Sequence, residues 1–189
     1  TARELEHQLK DSGAKAIVII ENFAATLEQC IGATPVKHVV LAAMGDLLGF
    51  WQGRWINFAV RHLKKMVPEF RLPMDGGRTV TRFPDACEAG SRLSLRRIDV
   101  RPDDVAFLQY TGGTTGVSKG AVLTHRNLVA NVLQLEAWFA PDLAGTEDST
   151  IVGALPLYHI FALNQALFFM KTGGRNLLIA NPRDFPGFV

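Results

Sequence analysis

Two β-branched runs constrain the fold more than anything else in the chain: Lys15-Ala-Ile-Val-Ile-Ile20 and Val36-Lys-His-Val-Val-Leu41. The first is continuous apolar sequence of the kind that a parallel strand buried on both faces needs. Between them, Asn22 to Ile31 reads as a helix that Gly32 stops. Strand, helix, strand in this order predicts a right-handed crossover within a parallel sheet. The fold class that follows is α/β, a largely parallel sheet flanked by helices.

The other elements fit that frame. Thr1 is placed to cap a helix from Ala2 to Ser12, with Leu5 and Leu9 on one face and Gly13 at its end. Val105 to Tyr110, Ala121 to Leu123, Ile151 to Leu155 and Arg175 to Ala180 read as strands. Thr124 stands at the start of a helix carrying Leu128, Val132, Leu135 and Phe139 at helical spacing. Ile160 to Met170 reads as an apolar helix closed by Gly173-Gly174, and Phe83 to Gly90 as a short one.

The 189 residues suffice for one filled α/β core or for a large piece of a bigger domain. With 48% hydrophobic and 20% charged residues the composition is that of a globular protein, and a net charge of +2 makes no case for nucleic acid. Cys30 and Cys87 stand far apart without metal-ligand spacing, so neither a disulfide framework nor a metal site is expected, and a reducing, cytoplasmic setting is. No signal peptide opens the chain and no apolar run is long enough to span a bilayer. A start at Thr1 and a Pro-rich end from Asn181 to Val189 read as a fragment of a longer protein. Nothing in the sequence specifies an oligomeric state.

Residues 46 to 67 support two readings. On a helical wheel Leu48, Trp51, Trp55, Phe58, Leu63 and Met66 share one face, and Arg54, Asn57, Arg61, Lys64 and Lys65 the other. Aromatics with basic neighbours fit a helix lying in a membrane interface, peripheral on the inner face of the membrane, touching it through Trp51, Trp55, Phe58, Arg61, Lys64 and Lys65. The same face also fits packing on the domain core or on the rest of a parent protein. Pro68 is expected to end the helix, and residues 68 to 84, rich in Pro, Gly and charge, to form a loop within an irregular excursion over 68 to 100.

The chemistry centres on Tyr110-Thr-Gly-Gly-Thr-Thr-Gly-Val-Ser-Lys-Gly120, a loop between two strands. Its glycines allow close backbone approach, and its hydroxyls, N–H groups and Lys119 converge as donors, an arrangement suited to a polyphosphate. A Walker loop is excluded, since Lys119 lies between Ser118 and Gly120 rather than after a Gly and before a Ser or Thr. The spacing of Gly112, Gly113 and Gly116 is not that of a dinucleotide loop. A plain Gly/Thr-rich turn does not require a lysine. Basic His125 and Arg126 in the first turn of the following helix fit a nearby anion or simple solvation.

Together with Ala121-Val-Leu-Thr-His-Arg-Asn127 and Leu155-Pro-Leu-Tyr-His-Ile-Phe-Ala-Leu163, this loop resembles the signature of the adenylate-forming superfamily, and within it the bacterial long-chain fatty acyl-CoA synthetases. The double glycine Gly112-Gly113, Thr1-Ala-Arg-Glu4 and Asp11-Ser-Gly-Ala-Lys15 carry the closer likeness, while Ser118 departs from the proline common there. The resemblance implies part of an N-terminal AMP-binding domain over 1 to 189, without the C-terminal domain. It implies a ligase that joins a fatty acid to ATP as acyl-AMP, then to coenzyme A. Tyr110, Thr111, Gly112, Gly113, Thr114, Thr115, Gly116, Val117, Ser118, Lys119 and Gly120 are then expected to hold ATP, with Lys119 supplying a point charge. His159 is expected to face the α-phosphate or carboxylate beside Tyr158, with Phe161 and Leu163 along the acyl channel; as a lone histidine it also fits a satisfied interior residue. Mg2+ is implied with ATP, its main protein ligand lying outside these residues. The family's adenine, ribose and C-terminal lysine segments do not occur here, so residues 1 to 189 alone are expected to be inactive. Two alternatives stay open: an adenylating ligase for another carboxylic acid, and a membrane-association or interaction module whose loop is inert.

Overall fold

The computed structural model describes residues 1–111, 118–143, 149–179 and 181. Two compact units emerge: Thr1–Ile98 together with Ser118, and Asp99–Thr111 together with the chain from Lys119 onward.

The first unit opens with α1 (Ala2–Asp11), whose reciprocal capping box joins Thr1 and Glu4; the N-terminus and the Thr1 hydroxyl hold the Glu4 carboxyl below its ordinary range. Gly13, at φ 62°, turns the chain into β1 (Ala16–Ile20). β1, β2 (His38–Ala42) and β3 (Thr79–Arg82) form a parallel sheet in that order, with Ala16 opposite His38 and His38 opposite Thr79. Leu9, Leu27, Cys30, Ile31, Val36 and Val39 are its buried core, joined by Leu5, Ile17 and Ile19. β1 differs from the two-face-buried expectation, because Val18 is 65% exposed.

Three expectations need correction. The helix from Asn22 to Ile31 is broken into a 3-10 turn (Glu21–Phe23), α2 (Ala24–Glu28) and a second 3-10 turn (Ile31–Ala33). Tightening to i+3 bonds, Cys30 N–H to Leu27 O and Thr34 N–H to Ile31 O, accompanies complete burial of both Leu27 and Ile31. The loop expected over 68 to 84 contains β3, which has little apolar content but is held by Arg78, whose guanidinium donates to the carbonyls of Val36 (3.1 Å) and Ile31 (3.4 Å). It runs directly into α4 (Phe83–Ser91).

The third correction concerns residues 46 to 67. Gly49, at φ 79°, starts α3 (Phe50–Phe58), which continues as a π-turn (Ala59–Leu63); Lys65, at φ 49°, ends the run before Pro68 is reached. Its orientation is the reverse of the usual amphipathic helix. Gly53 and Val60 are buried, and the Gly53 backbone lies against that of Gly45. Asn57 donates to Asp46 (3.1 Å) and accepts from the Gly45 N–H (2.7 Å). Arg61, expected on the basic face and among the membrane-contacting residues, is turned inward onto Glu21. The aromatics therefore face out, with Phe50 68%, Trp51 82% and Trp55 64% exposed.

In the second unit β4 (Val105–Thr111) and β5 (Lys119–Thr124) pair antiparallel, and α5 (His125–Leu143) follows. β6 (Thr150–Gly153) pairs parallel with β7 (Arg175–Leu178) across α6 (Ile160–Thr172), which Gly173 ends in the left-handed region. Val132 from α5 meets Phe168 and Phe169 from α6 in a small core backed by Ile151. No helix among the described residues is long and apolar enough to cross a membrane.

The cysteines differ in kind. Cys30 is buried and desolvation pushes its thiol above the ordinary range, whereas Cys87 is exposed. A maleimide pulse on folded protein is expected to modify Cys87 and spare Cys30; equal labelling of both would contradict this core.

Candidate functional site

Tyr110 opposite Gly120 and Thr111 opposite Lys119 are the last described rungs of the β4–β5 ladder. The expected ligand positions Gly112, Gly113, Thr114, Thr115, Gly116 and Val117 lie outside the described residues. The rungs nonetheless fix two faces. Residues directly opposite in an antiparallel pair project to the same side, as do residues i and i+2 of one strand. Gln109, Thr111, Lys119 and Ala121 therefore share one face, and Tyr110 and Gly120 the other. On that other face the Tyr110 ring lies over Gly120, where an added Cβ would come within 3.0 Å of Cζ. A side chain there would need the ring to give by a few tenths of an ångström.

Lys119 and Thr111 are exposed, and among the described residues Lys119 has no carboxylate partner. Ser118 is half-buried. Within the first unit its carbonyl accepts from His7 Nε2 at 2.9 Å, while its hydroxyl oxygen is shielded and has no hydrogen-bond partner among the described residues, so its backbone makes the contact.

The second motif comes to the same face. Gln109 Nε2 donates to the carbonyl of Tyr158, which ties the strand entering the loop to the Pro156–His159 segment. Sequence reasoning missed Gln109; its signal is a lone amide in an apolar strand, meaningful only once the register is known. His159 then caps α6: its Nδ1 accepts from the Phe161 N–H at 3.3 Å, and its own N–H donates to the Pro156 carbonyl at 2.8 Å. A nitrogen that accepts carries no proton, so in the neutral ring the hydrogen sits on Nε2. His159 thus presents a donor, matched to an anionic oxygen. It is exposed, as is Tyr158.

Immediately beyond His159, a cavity of about 440 Å3 opens between α5 and α6, with Leu135, Phe139, Ile160, Phe161 and Phe168 on its walls. Leu163 does not line it. Asn164 contributes a shielded carbonyl oxygen without a hydrogen-bond partner among the described residues. Arg126, at the start of α5, is paired with Asp103 (2.9 Å), so its place in the first turn has an internal explanation and needs no anion. Thr124 and Asn127 cap the same helix reciprocally.

The sequence pattern of the family described as AMP-binding enzyme matches residues 1–189. The chain belongs to the AMP-binding enzyme family. Among relatives of this AMP-binding chain, the long-chain-fatty-acid–CoA ligase of Escherichia coli O157:H7 is 52% identical over 190 residues, covering 100% of this chain and 33% of that protein. The long-chain-fatty-acid–CoA ligase of Haemophilus influenzae is 48% identical over 192 residues, again 100% of this chain and 33% of the other. The adenylation domain of the carboxylate reductase from Mycobacterium chelonae superposes with a TM-score of 0.68 at 21% identity, over 100% of this chain and 27% of that one, which shows the shared fold. The AMP-binding chain thus spans about a third of the length of the curated relatives it matches.

Proposed function

We propose that this chain is part of the large N-terminal, AMP-binding domain of an ATP-dependent, cytoplasmic long-chain fatty acid–CoA ligase. The observation that carries the proposal is the common face of the β4–β5 hairpin, on which Lys119 and Thr111 project and Gln109 holds Tyr158-His159. In the first step a fatty carboxylate oxygen attacks the α-phosphorus of ATP, the bond to the bridging oxygen breaks, and pyrophosphate leaves with its electron pair. In the second the sulfur of coenzyme A attacks the acyl carbonyl, AMP departs and the thiol proton is released. Pyrophosphate leaves readily only if donors meet its developing charge. Thr111, Gly112 to Val117 and Ser118 are assigned to cradling the phosphates, Tyr110 and Gly120, whose side-chain positions face the other way, to doing so through their backbone only, and Lys119 to neutralising them. The Nε2–H of His159 is assigned to an oxygen of the α-phosphate or of the carboxylate, with Tyr158 beside it. Phe161 and the apolar cavity behind it suit an acyl chain, each buried methylene being worth about 0.8 kcal/mol. Mg2+ accompanies ATP in this reading, with its main protein ligand outside residues 1 to 189; among the described residues no group of three or more His, Cys, Asp or Glu could hold it.

Fatty-acid-dependent exchange of labelled pyrophosphate into ATP by the full-length protein tests the proposal. Exchange is expected with long-chain fatty acids and absent without them or with residues 1 to 189 alone. Exchange driven only by another class of carboxylic acid would replace the substrate, and exchange with none would end the enzyme reading.

A second reading concerns where the protein works. The outward aromatic face of α3 favours peripheral contact with a membrane through Trp51, Trp55, Phe58, Lys64 and Lys65. Arg61 leaves that set, because Glu21 holds it.

A further inference from the structure

We propose that the α3 face is a docking surface for anionic phospholipid bilayers; this rests on the peripheral contact inferred above and adds the lipid class and the residues that read it. Three observations lead there.

The first is orientation. Gly45, Asp46 and Glu21 fasten the inward side of α3 and its π-turn through Gly53, Asn57 and Arg61. With residues about 100° apart on the helix, Phe50, Arg54, Phe58, Trp51 and Trp55 fan over the remaining side. These aromatics are exposed because the polar and glycine positions are held in, and Leu47, 81% exposed, extends the patch beyond Gly49. Large, rigid, amphipathic rings at the outer edge of a helix suit the headgroup level of a bilayer.

The second is charge. From Leu47 to Val67 the sequence holds Arg54, Arg61, Lys64 and Lys65 and no Asp or Glu. Glu21 and Asp46, the acids adjoining the segment from within, are both engaged by inward partners. The cations left to act outward are Arg54, which lies 5.4 Å over the Phe50 ring, Lys64 and Lys65; Arg82, its side chain 54% exposed, lies beside them but is also 3.7 Å from Glu21. A partner complementary to this surface is apolar and negatively charged at once, as an anionic bilayer surface is.

The third is shape. Beside the aromatics lies an open cleft of about 730 Å3 whose walls include Trp51, Arg54, Trp55, His62 and Arg82. It sits just beyond the carboxyl ends of β1, β2 and β3, where Glu21, Asp46 and Arg82 also lie. Arginine guanidinium groups recognise phosphate oxygens in a fixed, forked geometry, and Trp51 and Trp55 share the walls of this cleft with Arg54 and Arg82. A phospholipid phosphodiester is therefore assigned to the cleft, with its acyl region against the rings.

The test is co-sedimentation of the full-length protein with vesicles of phosphatidylglycerol and phosphatidylcholine, or of phosphatidylcholine alone. Binding to the anionic vesicles is expected to be at least tenfold tighter and to weaken with salt. Basic side chains near an anionic surface each contribute roughly fivefold. The Arg54→Gln/Lys64→Gln/Lys65→Gln variant is therefore expected to lose most of the preference, about a hundredfold at low salt. Trp51→Ala/Trp55→Ala is expected to weaken binding to both vesicle types, with its unfolding midpoint unchanged because both rings are exposed. Equal binding to the two vesicle types would overturn the lipid class while leaving the membrane contact. No binding to either, or variants that bind like wild type, would overturn both and assign the face to the rest of the polypeptide.

Discussion

Replacing Lys119 by methionine in the full-length protein is expected to lower fatty-acid-dependent pyrophosphate exchange by about a hundredfold, the usual loss when one preorganised donor to a developing charge is removed. Methionine keeps most of the aliphatic stem and deletes the charge. The position suits such a test: Lys119 is exposed, faces Thr111 across the last described rung of the hairpin, and has no carboxylate partner among the described residues. Folding should be indifferent to the change, so an unaltered unfolding midpoint is the accompanying control. Lys119→Arg should restore part of the rate, since it keeps the charge but not the compact ammonium. Full exchange in the methionine variant would remove Lys119 from the phosphates and favour an inert loop.

Arg61→Met is expected to be the most damaging single change outside the core. Glu21 is 2% exposed, and Arg61 meets it with three contacts of 2.9, 3.1 and 2.8 Å, which also hold the guanidinium pKa up. Without them, among the described residues, a buried carboxylate keeps only Arg82 at 3.7 Å. Breaking a buried pair on one side costs about 3–5 kcal/mol, and the lower end applies because the Arg61 side chain is 32% exposed. A urea titration of the full-length protein should show the loss as a lower midpoint. Glu21→Leu/Arg61→Met together should recover much of it, because the isolated charge is then gone. A double variant as unstable as the single one would mean that packing around Arg61, rather than its charge, holds the π-turn.

What could be read from the sequence was what is local. The Thr1 cap, β1, β2, the β4–β5 hairpin and the helices beginning at His125 and Ile160 follow from caps, glycines and runs that act within a few residues. β3 escaped because Val80 is the one aliphatic residue in Thr79–Arg82, and its placement depends on Arg78 reaching Val36, a partner 42 residues away. The direction of α3 escaped for a similar reason. A helical wheel shows which residues share a side, but which side faces inward is decided by Gly45, Asp46 and Glu21, none of which lies within the helix. At the candidate site the loop announced itself through residue types. That Tyr158-His159 joins the face of Lys119 depends on the ladder register and on Gln109, which composition does not reveal.

The contact between Gly45 and Gly53 has a bearing on how such chains diversify. A Cβ on Gly45 would stand 2.3 Å from the Gly53 oxygen, and one on Gly53 would stand 2.2 Å from the Gly45 oxygen, both backbone atoms that cannot step aside. The two sites therefore behave as a single inherited character, since a side chain at either one lifts the helix from its seat and swings the tryptophans with it. A lineage that ceases to need outward indoles is released at both positions together.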